Sequence, residues 1–179
     1  MKNKLKNLIL IFICGCFYLV FEITTRVIDN ALIGILPGIS KLSLMGYTSL
    51  WMILVGGLCG FLVGYLNQIN WIRKHCNVFT QSILGSIIVL SIEMISGIIL
   101  NIILHLNIWD YTHLPFNISG QISLQFGIYW FLLSPFIFWF DDMLRFTLYK
   151  QGNEYSLVDV YKLLFNPFAK SQFQNEVVK

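Results

Sequence analysis

The feature that most limits this chain is the run from Gln81 to Leu106, a long apolar run with nearly all its small and polar side chains on one stripe. Ser82, Gly85, Ser86, Val89, Glu93, Ser96, Gly97 and Asn101 recur every three or four residues, so a helix puts them on one face. The other faces are Ile, Leu and Val. A helix of that length and pattern shows one side to protein and the rest to hydrocarbon. Composition removes the soluble alternative. Hydrophobic residues make up 56% and charged residues 12%, with a mean hydropathy of +0.70, whereas a soluble domain is roughly a quarter charged.

Three further runs are long enough to cross a bilayer, giving spans over about 8–28, 49–66, 81–106 and 122–140. The expectation is an all-α integral membrane protein, a compact bundle of four transmembrane helices. Residues 1–148 form the transmembrane domain and 149–179 a cytoplasmic tail. Basic residues orient it. With the N-terminus inside, Lys2, Lys4, Lys6, Arg73, Lys74, Arg145, Lys150, Lys162, Lys170 and Lys179 are cytoplasmic, and Arg26 and Lys41 are outside. Both ends are then cytoplasmic, in a multi-pass protein of the cell membrane. The apolar segment "IGILPGI" in the first outer connection reads as a re-entrant element; if it spanned, the crossings would number five. The first apolar run continues past Cys16 to Ile28, too long for a signal-peptide core, so cleavage is not expected.

In the tail, "SLVDVYKLLFNPF" carries a capping box from Ser156 to Asp159. Leu157, Tyr161, Leu164 and Phe168 fall near helical spacing. A short amphipathic C-terminal helix follows, lying on the inner membrane surface or packing under the bundle.

The polar residues inside apolar segments carry the functional signal. Glu93 sits in mid-span, where an ionised carboxylate costs several kcal/mol. It reads as a proton- or substrate-binding acid, or as a hydrogen-bonding link between helices. Glu22 and Arg26 have the favourable order and spacing for an ion pair on the first helix. On the second, Gly56, Gly60 and Gly64 form a small-residue face for close packing, within the chain or between copies of it in a homo-oligomer. Gly97 extends this theme on the third helix. Pro135 predicts a kink in the fourth, and Asp141, Asp142 and Arg145 read as a surface ion-pair cluster at its inner end.

The loop "IWDYTHLPFNISGQIS", Ile108 to Ser123, is the most polar interval between spans. Trp109 and Tyr111 suit a membrane interface. Asp110 and Asn117 can bond nearby backbone, and Gly120 permits a tight turn. His113 and Asp110 lack the partners that a metal or a nucleophilic triad needs. The four cysteines, Cys14, Cys16, Cys59 and Cys76, show no paired metal motif. No catalytic residue, metal or cofactor is assigned, and an enzyme is the less favoured class. No basic stripe points to nucleic acid.

"EMISG" (Glu93 to Gly97) followed by "NIWDYTHLPFNISGQI" (Asn107 to Ile122) resembles the bacterial family named putative type IV ABC-transporter permease, CmpB-like. "CGCFYLVFE", ending at Glu22, is similar to its first-helix pattern, and "GYTSLWM", Gly46 to Met52, to one branch's second-helix entry. The resemblance covers roughly residues 14 to 145. Thr112 stands where the family usually has Ser, and the family's first-outer-loop signature is lacking.

The resemblance implies a transporter permease-like component. The chain has no Walker A pattern, so ATP hydrolysis falls to a separate ATP-binding cassette subunit. A membrane scaffold, sensor or accessory subunit is the alternative, and a lipid-modifying or intramembrane enzyme the third reading. In each, Glu22, Arg26, Glu93, Asn101, Trp109, Asp110, Tyr111, Asn117 and Gln121 are expected to converge on a polar pocket opening outward. The lipid bilayer is the common partner.

Overall fold

A computed structural model describes residues 2–34 and 38–166 of the chain. It is helical apart from one minimal hairpin. In order, the elements are α1 (Lys2–Ile33), a 3-10 turn (Lys41–Ser43), α2 (Trp51–Leu66), α3 (Asn70–His75) and α4 (Val78–Gly97). A π-helical segment (Ile98–Ile103), β1 (Asn117–Ile118), β2 (Ile122–Ser123), α5 (Leu124–Tyr149) and α6 (Leu157–Phe165) follow. Helices over Lys4–Leu32 and Val78–Ile103 are long and apolar enough to cross a membrane. The Trp51–Leu66 helix is apolar but shorter. The span expected over 122–140 is helical too, but Trp, Tyr and Pro replace much of the aliphatic content of the other two.

The chain divides into two compact units, residues 1–58 and 59–179, with the boundary inside α2. In the first unit, small residues let α1 and the start of α2 approach closely. A Cβ on Gly56 would strike the Tyr18 ring, one on Gly57 the Ile11 carbonyl, and one on Gly15 the Ile53 carbonyl. The apolar element expected around Pro37 falls largely on residues 35–37, outside the described residues.

In the second unit α4 runs against α5, and α6 packs on both. The predicted stripe on α4 is the buried one: Ser82, Gly85, Ser86, Val89, Glu93, Gly97 and Asn101 are all buried. Ile83, Ile87, Ile95 and Ile102 are exposed on the opposite side. Small residues again set the spacing. Gly85 faces Ser134, Gly127 faces Leu90 and Gly97 faces Gln121. Two helices separated by hydroxyls and glycines bring their backbones close, and Ser86 Oγ donates to the Gly127 carbonyl across that seam at 2.7 Å.

Two expectations change. α5 does not end near Phe140 but runs through Pro135 to Tyr149, where Lys150 adopts a left-handed cap. Asp141 and Asp142 therefore lie within the helix and are buried, 0% and 8% exposed, rather than forming a surface cluster. α6 buries Val160 and Leu164 against the second unit, the packing alternative for this helix. Ser156 caps it, while Asp159 pairs with Lys162 at 2.8 Å. Phe168 and Lys170 lie outside the described residues.

Candidate functional site

The nine predicted site residues divide between the units, Glu22 and Arg26 in the first and seven in the second. In the first unit, the favourable i,i+4 order produces the expected pair, with Arg26 Nη2 donating to Glu22 Oε1 at 2.9 Å. The second carboxylate oxygen is occupied as well, by the Thr48 hydroxyl at 2.5 Å. The Arg26 guanidinium lies over the Tyr47 ring at 4.8 Å, a cation–π geometry. Gly46 makes the approach possible, because its Cα packs on the Ile23 carbonyl with no room for a side chain. The segments "FE" and "GYT" thus meet in one polar cluster. Tyr47 and Thr48 were not among the predicted residues, because nothing in sequence spacing links position 22 to position 48.

In the second unit, Asn101 and Gln121 organise the loop between the π-helical segment and α5. The α4 ladder widens into π-helical turns at Ile98–Ile103, with Leu104 N–H reaching back to the Ile99 carbonyl. This turns Asn101 toward the loop, where its amide makes three bonds. Nδ2 donates to the Trp109 carbonyl (3.1 Å) and to Gln121 Oε1 (2.9 Å), and Oδ1 accepts from Ile108 N–H (2.7 Å). Such widened turns are frequent at functional sites. The chain reverses through left-handed residues at His105 and Asn107.

The loop is a folded cap held by its own side chains. Ser119 and Gly120, both at positive φ, form a tight turn within the three-residue β1–β2 connection, closed by the Gln121 N–H donating to the Ile118 carbonyl at 3.0 Å. Asp110 accepts from the Thr112 N–H and hydroxyl at 2.8 and 2.9 Å, which holds its carboxyl below the usual range. Asn117 bonds the Leu114 carbonyl and the Gly120 N–H. Trp109 Nε1 donates to the Gln121 carbonyl. Tyr111 stacks on Phe126 at 4.2 Å between ring centroids. Asp110 and Asn117 thus spend their polar atoms inside the cap. Gln121 alone packs on Gly97, one turn from Glu93.

Glu93 is 4% exposed. Its Oε1 accepts from Trp130 Nε1 at 3.1 Å, and its buried Oε2 has no hydrogen-bond partner. A carboxylate so placed can take a proton or bind a ligand through that second oxygen. Trp130 was missed, although an indole deep in an apolar segment must find an acceptor for its N–H. Ser134 Oγ continues the chain of contacts by donating to the Trp130 carbonyl.

A second polar centre lies at the far end of the α4·α5 seam. Asp142 gathers donors from two distant segments: Asn67 Nδ2, Gln68 Nε2 at 2.6 Å and the Tyr155 hydroxyl at 2.6 Å. Asp141, set against Gly64, takes Arg145 Nε at 2.6 Å. Among the described residues no three His, Cys, Asp or Glu side chains are grouped as metal ligands.

No curated protein and no solved structure matches the chain. One family model does, that of a putative ABC-transporter type IV, over residues 10–165. That match takes in both Glu22–Arg26 and Glu93 with its cap. The chain belongs to this putative type IV ABC-transporter family.

Proposed function

We propose that the protein is a multi-pass membrane component of a transporter, crossing the bilayer four times with both termini on the cytoplasmic side. The seam between α4 and α5 is its binding region, with Glu93 as the ligand-binding acid. The observation that carries this reading is Glu93 itself. It is a buried acid with one unpartnered oxygen, on the single polar face of a helix whose other side is exposed isoleucine. Intramembrane acids turned to protein mark substrate and ion pathways. The ten-to-two bias of basic residues supports the orientation.

Energy from ATP requires a separate ATP-binding cassette subunit, consistent with the family. Its docking surface would be the cytoplasmic 67–77 segment and the tail. Purification from native membranes in mild detergent tests this. A co-purifying ATPase subunit whose activity falls with Glu93→Gln supports the reading; repeated isolation of the chain without one contradicts it.

The scaffold reading leaned on the Gly56/Gly60/Gly64 face. Two of the three are occupied within the chain, Gly56 by Tyr18 and Gly64 by Asp141. Assembly with a second copy then falls to the partly exposed Gly60, and Gly60→Leu should weaken cross-linking between copies if they associate.

A further inference from the structure

We propose that the α4·α5 seam is a proton path, with Glu93 as its middle station and Asp141 as its inner one. This rests on the reading above only in taking α4 and α5 as membrane-crossing helices.

Buried polar atoms almost always have hydrogen-bond partners. On α4 and α5 four do not: Glu93 Oε2 and Ser82 Oγ on α4, and, on α5, Asp141 Oδ1, whose side chain lies against Gly64 of α2, and Arg145 Nη2. Ser82 and Asp141 are 0% exposed and Glu93 4%. All four atoms lie on the two helices that face each other. Three are oxygens able to accept a proton or a water hydrogen, and the fourth is a guanidinium N–H beside the inner acid. In the proposed path water bridges these atoms, as ordered water does for buried polar groups without a protein partner. Water joining carboxylates and hydroxyls is the medium that carries protons through membrane proteins.

The stations follow one another. Glu93 to Ser86 is about 10 Å along α4, and Ser86 to Ser82 about 6 Å, from the helical rise. Gly85 opposes Ser134 and the helices run antiparallel, so in axial height Ser82 stands about 6 Å above Asp141 on α5. Between Glu93 and Ser86 the seam is interrupted by Val89, which is fully buried. That apolar step prevents free leakage and makes transfer past Val89 the slow event.

The groups facing each station are few. Glu93 meets the Trp130 indole from α5 and lies within electrostatic reach of the Cys59 thiol on α2. Asp141 meets Arg145 and Asp142 on its own helix and the backbone of Gly64 on α2; the tail's Tyr155 lies within its electrostatic reach. Arg73 acts on Asp142 and Tyr155.

In the transfer, the Glu93 O–H bond breaks and Glu93 is left as a carboxylate. Each bridging hydroxyl or water gains one O–H bond and gives up another. A new O–H bond forms at Asp141 Oδ1, which neutralises Asp141 and loosens its pairing with Arg145. One proton leaves Glu93 and one arrives at Asp141, with no oxidant or reductant involved.

The test uses the full-length protein in liposomes carrying an internal pH dye, with a potassium diffusion potential driving protons inward. Wild type should acidify the lumen faster than protein-free vesicles. Glu93→Gln and Asp141→Asn should each lower that rate about tenfold or more, as loss of a positioned proton carrier does. Ser91→Ala, on the exposed side of α4, should leave it unchanged. Ser82→Val provides a milder break and should also slow the flux if Asp141→Asn fails to fold. Wild-type flux no greater than protein-free vesicles, or full flux in folded Asp141→Asn or Ser82→Val, would overturn the path. An associated ATPase subunit without proton flux would leave the transporter reading standing and this inference refuted.

Discussion

The 105–123 cap and the Asp142 junction at the opposite end of the second unit are each organised around one side chain that collects three hydrogen bonds. At the cap it is Asn101, which ties Ile108, Trp109 and Gln121. At the junction it is Asp142, which ties Asn67, Gln68 and Tyr155. They differ in charge and in reach. Asn101 is neutral and its partners lie within 20 residues. Asp142 is a buried acid whose amide donors come from 74 and 75 residues away. The cap is a local fold closed by amides; the junction is a long-range one closed by a carboxyl group. A neutral local network is cheap to bury and tolerant. A buried acid demands all of its donors at once.

The largest effect separating the two should come from Asp142→Ala. It strands three donors, two of them on the turn that follows α2, and should cost about 3 kcal/mol or more. Thermal unfolding in detergent would register the loss, and protease sensitivity of the 150–165 segment should rise with it. Only a small loss would mean that the junction is not structural.

Asn101→Ala should follow, at about 2 kcal/mol, because it frees the Ile108 N–H and one side of Gln121. Its signature is a loosened cap with α4 intact, seen as faster amide exchange confined to the 105–123 segment. Gly97→Ala should cost about 1–2 kcal/mol, since the new methyl meets Gln121 Oε1 and Cβ. Shortening Gln121 to Ala in the same chain should recover most of it, and failure to recover would place the clash elsewhere. The smallest effect belongs to exposed Asp110, whose depressed carboxyl contributes stability that is present above its ordinary pKa and lost as pH falls. Asp110→Asn should change melting only marginally at neutral pH.

The same contrast explains what was legible in the sequence. The polar stripe on α4 was readable because helical period alone selects its members, and seven of its eight residues are buried as that period requires. The cap was readable because Asp110, Asn117 and Gly120 act on backbone two or three residues away. The Glu22–Arg26 pair was readable for the same reason. Thr48 on Glu22, Trp130 on Glu93 and Tyr155 on Asp142 were not, since each contact joins segments whose approach depends on packing. The inner cluster was misjudged because two adjacent acids and an arginine look like a solvated helix end. Gly64 hinted otherwise: a missing side chain on α2 is what admits Asp141. The π-helical turns at Ile98–Ile103 were also invisible, because nothing in the apolar spacing marks the point where the α4 ladder widens.

The central claim is that the polar face of α4 closes against the cap and α5, with Glu93 enclosed beneath it. Disulfide trapping in native membranes tests this directly, in a chain with its four cysteines replaced. Gly97→Cys with Gln121→Cys should cross-link rapidly under mild oxidation, because the Gln121 Cβ lies 3.0 Å from where the Gly97 Cβ would stand. Ile95→Cys with Gln121→Cys should not cross-link, since Ile95 is 60% exposed on the other side of the helix. Efficient trapping through Ile95 and none through Gly97 would contradict the account, because it would turn Glu93 away from the seam.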